Sequence, residues 1–162
     1  MIRNQECIKR ITALIVVSMA FITTVRAETF RETVGYGTCN FQVNPDNSTV
    51  SIIHLQGDAN YVGVIPETVT HDGKTYTITA IGNRAYCSIS AAYHYYYGKL
   101  VLPKTIRRIG TEAFAYSYLS EIVFSSDCEE IVIEQSAFES CHNLNSINLS
   151  GRSSILPWVT TM

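Results

Sequence analysis

A cysteine followed directly by a histidine, Cys141-His142, is the pair in this 162-residue chain that could do nucleophilic chemistry. A thiol becomes a strong nucleophile once a neighbouring imidazole takes its proton. Adjacent side chains do not face each other on a helix, however, and the sequence offers no third group to orient the histidine. We therefore predict no catalytic residues, and an exported hydrolase that uses a Cys/His pair remains the alternative.

Three short stretches with one pattern organise the rest of the chain. Each reads Ile, three variable residues, Ala and an aromatic, and they begin at Ile81, Ile109 and Ile133, which are 28 and then 24 residues apart. A second pattern of three spaced apolar or aromatic residues follows each of them in step. Two patterns in register over three copies are typical of a solenoid. The expected repeat core consists of Ile81, Ala85, Tyr86, Ile109, Ala113, Phe114, Ile133, Ala137, Phe138, Leu119, Ile122, Leu144 and Ile147.

Each repeat unit is predicted to contain one strand and one return segment. The strands are residues 100–102, 122–124 and 147–149, with alternate side chains pointing into the core. The return segment contributes its aromatic as a large core residue and its Ala where the chain turns close to the core. One coil cannot bury these residues alone, so stacked coils must share a continuous core. Gly82 and Gly110 are expected to supply backbone freedom at the bend.

Three phrases carry a resemblance to a known family. They are Ile65-Pro66-Glu67-Thr68-Val69, the run Leu-Pro-Lys-Thr-Ile-Arg-Arg-Ile-Gly-Thr-Glu-Ala-Phe at 102–114, and the run Ala-Phe-Glu-Ser-Cys-His-Asn-Leu at 137–144. These phrases resemble the BspA-like leucine-rich repeats of bacterial surface proteins, over roughly residues 60 to 150. The chain departs from the family pattern where Ser117 stands at a cysteine position and Glu134 at a glycine position. The resemblance implies attachment to host proteins or to other cells.

The predicted fold is a β-rich solenoid, a leucine-rich-repeat-like right-handed stack of about three coils with short helical or 3-10 segments. The coils cover residues 61–150, and a β-hairpin over residues 28–60 caps the first coil, because an open solenoid end exposes apolar side chains. The turn sequence Asn44-Pro45-Asp46-Asn47 indicates this hairpin. A second tight hairpin is predicted at His71-Asp72-Gly73-Lys74. Residues 151–162 are either a makeshift cap or the end of a truncated array.

The first 27 residues have the character of a secretory signal peptide. Three basic residues precede the apolar run 11–24, and Val25-Arg26-Ala27 provides small residues for cleavage. The apolar run is short for a span of about 20 residues, which favours cleavage over an uncleaved membrane anchor. The mature chain would keep 8 basic and 13 acidic residues, a net charge near −5. We therefore expect no nucleic-acid partner and no stable membrane insertion after cleavage.

The cysteines and histidines show no metal-ligand spacing, so neither a metal nor another cofactor is predicted. Cys87 and Cys141 are two coils apart, which predicts a separation of about 10 Å at the spacing of stacked strands. That distance exceeds the roughly 7 Å that a disulfide allows between Cα atoms. We expect free thiols at these two positions, and either state at Cys39 and Cys128.

An insertion in the first repeat provides the predicted binding patch. The inserted run Ser-Ile-Ser-Ala-Ala-Tyr-His-Tyr-Tyr-Tyr at 88–97 has an apolar stripe at helical spacing, which predicts a short helix with His94 and Tyr95 facing water. Together with Lys99 these residues would contact a partner, since tyrosine is common at interface centres. The alternative is that the tyrosines simply cover the coil. We predict a non-catalytic secreted or cell-surface binding module for a protein or glycan; another alternative is a truncated fragment without its own ligand.

Overall fold

The computed structural model describes residues 27–34, 37–57, 63–87, 98–125 and 130–148. Within these residues all eleven elements are strands, and none is a helix that could cross a membrane. Three predictions lie outside the described residues: the signal peptide at 1–27, apart from its last residue, the inserted run at 88–97 and the tail at 151–162. The strands are β1 Thr29–Val34, β2 Gly37–Val43, β3 Thr49–Gly57, β4 Gly63–Val64, β5 Thr68–His71, β6 Lys74–Ile81, β7 Gly98–Leu102, β8 Arg108–Ile109, β9 Leu119–Phe124, β10 Val132–Ile133 and β11 Ser146–Asn148.

The N-terminal hairpin is formed by β2 and β3, which pair antiparallel across the predicted turn. Asp46 holds the turn, because its carboxylate accepts hydrogen bonds from the Thr49 hydroxyl at 2.7 Å and from the N–H groups of Ser48 and Thr49 at 2.9 and 2.8 Å. These bonds lower the pKa of Asp46 to about 2. The structure adds a strand that the sequence did not predict, β1, which pairs antiparallel with β2.

The second predicted hairpin joins the cap to the repeats. β5 and β6 pair antiparallel through a two-residue turn in which Asp72 and Gly73 have φ of 48° and 78°. Two consecutive positive φ values are what a tight hairpin turn needs, and Asp-Gly supplies them at low cost. β6 then pairs in parallel with β3 on the cap side and with β8 on the repeat side. The cap and the coils therefore belong to one continuous seven-stranded sheet.

The predicted solenoid is confirmed: parallel strands of two sheets line two sides of one core. Strands β6, β8 and β10 run along one side, and β4, β7, β9 and β11 form a separate four-stranded sheet on the other. Equivalent residues of successive coils lie in register in both sheets. On the first side Ile81 pairs with Ile109, and Ile109 with Ile133; on the second, Leu100 pairs with Ile122, and Ile122 with Ile147.

The return segments differ from the prediction of short helical or 3-10 pieces. In the described residues they are tight turns, and each has a residue with positive φ immediately before its Ala: Arg84 at 55°, Glu112 at 53° and Ser136 at 55°. Backbone N–H groups in these turns alternate between their own coil and the next one. Ala113 N–H donates back to Gly110 C=O at 3.1 Å, whereas Tyr86 N–H donates to Ala113 C=O at 2.7 Å and Phe114 N–H to Ala137 C=O at 2.8 Å. A helix would have used those donors internally.

The two repeat glycines also act differently from the expectation of backbone freedom. Neither Gly82 nor Gly110 has positive φ. Instead, neighbouring backbones approach closely there: a Cβ on Gly82 would lie 2.8 Å from Ile52 O of the cap, and one on Gly110 would lie 2.8 Å from Asn83 N of the first coil. Both distances are too short for a methyl group. Glycine is needed at these positions for the close approach of the first coil to the cap and of the second coil to the first.

Three aromatic rings in contact, one pair of them tilted and the other stacked, pack in the core of the coils. Phe114 is fully buried, and its ring centroid lies 4.8 Å from that of Tyr86 and 5.4 Å from that of Phe138. The third coil is less buried than the sequence predicted: Ile133, Phe138 and Leu144 are only partly covered, and Ile147 is 40% exposed. In the described part of the chain no further coil packs on that side, so these residues lack the second neighbour that buries their equivalents.

Candidate binding face

The outward side of the four-stranded sheet is the candidate site. Along β7 and β9 the inward residues are buried, while the residues that alternate with them are partly exposed. Because successive side chains of a strand point to opposite faces, the exposed residues form rows across the sheet. One row is Val64, Val101, Val123 and Asn148, and the next is Lys99, Glu121 and Ser146. We call these seven residues the valine face.

The apolar row of this face, Val64, Val101 and Val123, is the feature that makes it a candidate binding surface. Val64 is 53% exposed at the outer strand, and Val101 and Val123 are half-buried beside it. At about 4.8 Å between strands, the three valines extend over roughly 10 Å. An apolar centre with polar groups at its rim is the usual composition of a protein–protein contact.

The charged row beside the valines has one ion pair. Lys99 Nζ lies 3.5 Å from Glu121 Oε1, and both side chains remain partly exposed at 39% and 30%. A pair at this separation and exposure contributes little to folding stability. Both groups therefore keep most of their capacity to bind a partner, one with positive and one with negative charge. Lys99, which the sequence analysis selected, belongs to this face; His94 and Tyr95 lie outside the described residues.

The opposite sheet has a polar cluster that is already occupied by its own contacts. Arg108 donates to Glu134 at 2.6 and 3.0 Å and to Asn83 at 2.9 Å. Glu134 also accepts hydrogen bonds from the N–H and the hydroxyl of Thr111, both at 3.0 Å. These bonds, the Arg108 hydrogen bond foremost, lower the pKa of Glu134. The cluster connects all three coils, and it explains why a glutamate stands at a glycine position: its side chain ties the third coil to the second.

Of the described cysteines, Cys39 is buried in the core, and Cys87 and Cys141 are partly exposed. Cys39, Cys87 and Cys141 are all free thiols; Cys128 lies outside the described residues. Burial raises the pKa of Cys39 to about 12. Burial is also the main cause that raises the pKa of Cys141, whose Sγ–H donates to Phe114 C=O at 2.9 Å. A protonated, hydrogen-bonded thiol is a poor nucleophile.

Two residues near Cys141, Ser117 and His142, bear on its chemistry. Ser117 Oγ lies 3.4 Å from Cys141 Sγ, so the serine that stands at a cysteine position is indeed stacked on a cysteine of the next coil. The next residue, His142, is exposed to solvent. Within the described residues, no group of three or more Cys, His, Asp or Glu side chains is placed to hold a metal ion.

Sequence analysis missed the valine row, although a signal for it exists. Val101 and Val123 are the variable positions inside the second repeat pattern, between two core residues in each strand. An apolar residue at an outward position in two successive repeats indicates an apolar row on the outer face, because the coils stack in register. Val64 was harder to find, since β4 is only two residues long.

Comparisons with known proteins agree with this architecture. The family model described as "BspA type Leucine rich repeat region (6 copies)" matches residues 79–157. No curated protein sequence matches the chain. Similar solved structures include a leucine rich cell surface protein from Faecalibacterium prausnitzii A2-165 (28% identity, TM-score 0.59, 75% of this chain and 31% of that one). A leucine-rich repeat protein from Bacteroides capillosus is also similar (28% identity, TM-score 0.55, 70% of this chain and 78% of that one).

A third structure extends the likeness of fold. The pneumococcal vaccine antigen PcpA shares 14% identity with a TM-score of 0.57, over 75% of this chain and 38% of its own. The chain thus spans about a third of the Faecalibacterium and pneumococcal proteins, and most of the Bacteroides one. Residues 79–157 of the chain are thus similar to the BspA-type leucine-rich repeat region.

Proposed function

We propose that this chain is an exported, cell-surface binding module that recognises a protein partner through the valine face. The observation that carries the proposal is the partly exposed apolar row across the four-stranded sheet, with the Lys99–Glu121 pair beside it. The valines aligned on three neighbouring strands point away from the core and keep part of their surface in solvent, which a partner could cover. The apolar row favours a protein over a glycan, since a sugar would call for more hydrogen-bonding groups at the centre of the face.

The proteins that this chain resembles support its display at the cell surface. One similar structure is described as a cell surface protein and another as a vaccine antigen, and the sequence begins with the features of a secretory signal. Leucine-rich repeat proteins of this family are typically non-catalytic. The protonated thiol of Cys141 supports the same function for this chain, and it speaks against the hydrolase alternative.

The experiment uses two valines of nearly equal exposure on different sheets. Val64 is 53% exposed on the valine face, and Val132 is 52% exposed on β10 of the other sheet. The full chain would first be tested against purified host matrix proteins, bacterial surface extracts and a glycan array. Val64→Ser is then expected to weaken binding to the partner found, while Val132→Ser leaves it unchanged. Equal effects of the two substitutions, or a partner found on the glycan array alone, would contradict the proposal.

A charge substitution tests the rim of the face separately. Lys99→Glu places two carboxylates side by side and is expected to reduce affinity and its dependence on salt. The double variant Lys99→Glu with Glu121→Lys restores the ion pair with its direction reversed. If binding needs the charges in their native places, the double variant stays weak. Recovery of full affinity would mean that the pair acts only on the shape of the sheet.

A further inference from the structure

Strand β1 is held to the molecule on two sides. Its backbone pairs with β2 at the edge of the seven-stranded sheet. It also contacts β5, although β2, β3 and β6 stand between them in the order of the sheet. The sheet must therefore curl strongly, so that its first strand approaches the β5–β6 hairpin. Side chains alone make this second contact, because no backbone pairing joins β1 to β5 in the described residues.

Two side chains of β1 make the contact with His71 at the end of β5. The ring of Phe30 stacks on the imidazole with centroids 4.3 Å apart and planes 4° from parallel. Glu32 Oε1 lies 2.7 Å from His71 Nδ1. Phe30 also packs against Phe41 and Tyr76, with centroid distances of 5.3 and 5.4 Å. The stack positions the imidazole, and the carboxylate then meets it edge-on.

The charges around His71 favour its protonated form. Glu32 faces it from β1, and Asp72 from the hairpin turn, where Oδ2 lies 3.6 Å from Nε2. Glu28, just before β1, adds a third negative charge at longer range. On β6, Lys74 is the strand partner of His71, and its ammonium group lies over the Tyr76 ring and donates to Asn47 Oδ1 at 2.8 Å. The hydrogen bond that His71 Nδ1–H donates to Glu32 is the main cause that raises the pKa of His71.

We propose that His71 and Glu32 form a pH-dependent latch, which holds β1 against the β5–β6 hairpin while the imidazole is protonated and loosens it when the proton leaves. A protonated imidazole donates from Nδ1 to the carboxylate with full charge assistance. A neutral imidazole either presents a lone pair to that carboxylate or donates a weaker, uncharged hydrogen bond. The group that titrates between pH 5 and 8 in an unperturbed state is histidine, so the change falls near physiological pH.

The direction of the pH dependence follows from the raised pKa. A group whose pKa is higher in the folded state adds stability that is complete below the unfolded pKa of about 6.5. That contribution is lost as the pH rises through the folded pKa. The latch is therefore tight in acid and loose in alkali. Each pH unit by which the folded pKa exceeds the unfolded one corresponds to a tenfold change in the equilibrium between held and released β1.

The test combines two NMR measurements on the full chain. The first is the titration midpoint of His71, which we expect to lie above 6.5 in the wild type and to fall in Glu32→Gln. The second is amide hydrogen exchange of β1 relative to β3, corrected for intrinsic rates, between pH 5.5 and 8.5. The ratio of β1 opening to β3 opening should rise with pH, by tenfold for each unit of the measured pKa difference.

Two substitutions separate the latch from general effects of pH. His71→Gln should abolish the pH dependence of β1 opening. His142→Gln, which removes an exposed histidine of the third coil, should leave it intact. The proposal is overturned if the midpoint of His71 is the same with and without Glu32, if β1 opening does not change with pH, or if it changes equally in His71→Gln.

Discussion

Replacing Phe114 by Ala tests the stacked core at its centre. The ring is fully buried and lies between Tyr86 and Phe138. A buried phenylalanine removes about 150–200 Å² from water, which corresponds to about 4–5 kcal/mol at 25 cal/mol per Å². Partial collapse of the cavity reduces the loss, and the lost ring contacts increase it. We expect a cost of about 4 kcal/mol, within the range of about 3–5 kcal/mol found for such substitutions.

The cost of replacing two other aromatic residues by Ala provides the comparison for Phe114→Ala. Phe138 is only partly buried and has its ring neighbour on one side, so Phe138→Ala should cost roughly half as much. Tyr116 lies in the same coil as Phe114 but is 47% exposed, and Tyr116→Ala should stay within about 0.5 kcal/mol of the wild type. Chemical denaturation followed by circular dichroism gives all three values. The reasoning is refuted if Phe114→Ala lies within about 1 kcal/mol of the wild type, or if Phe138→Ala costs more than Phe114→Ala.

Three further predictions concern the contacts between coils and the thiol. Gly110→Ala should cost about 1–3 kcal/mol by denaturation, because the new methyl group would lie 2.8 Å from Asn83 N; a neutral result would mean that the coils are not in close contact there. Glu134→Gln should cost about 1 kcal/mol or less at pH 7. Since the pKa of Glu134 is lowered, its contribution to stability is present above pH 4.5 or so and is lost as the pH falls through the folded pKa. The free energies of unfolding of the variant and the wild type should therefore converge in acid, and a difference that persists there would contradict the prediction. Cys141 should react with iodoacetamide at pH 7.5 more slowly than the amino acid cysteine does in solution, as followed by mass spectrometry. Faster labelling than that would support the hypothesis that Cys141 is a nucleophile.

The repeat pattern was sufficient to predict the fold because each copy places the same residue types at the same positions of a coil. An inward residue at a fixed position of successive coils must lie beside its equivalents, so Ile81, Ile109 and Ile133 could be placed in one ladder from spacing alone. The turn residues at 44–47 and 72–73 predicted both hairpins for the same local reason.

The missed features depend on relations that spacing does not contain. Arg84, Glu112 and Ser136 adopt positive φ although none is glycine, since the inter-coil hydrogen bonds impose that conformation on the turn. The predicted reason for the two glycines, backbone freedom, was wrong. The real reason is a short contact to Ile52 or Asn83, and the sequence does not show which backbone segments lie side by side.

The candidate site was predicted only in part. Lys99 was selected for its place next to the insertion, yet the structure gives it a different setting, in a charged row beside exposed valines. The row that contains the valines arises from the register of four strands, two of which are only two or three residues long. Periodicity is weak evidence for such short strands, whereas the pairing of β4 with β7 fixes the position of Val64 directly.

Valine methyl NMR spectra, recorded while a confirmed partner is added, test the central claim most directly. The full chain is labelled at its valines, and the methyl resonances of Val64, Val101 and Val123 report on the valine face. Val132, with nearly the same exposure as Val64, reports on the opposite sheet. If the valine face binds the partner, the three face valines shift or broaden and Val132 does not. Perturbation of Val132 with unchanged resonances for Val64, Val101 and Val123 would contradict the assignment of the binding face.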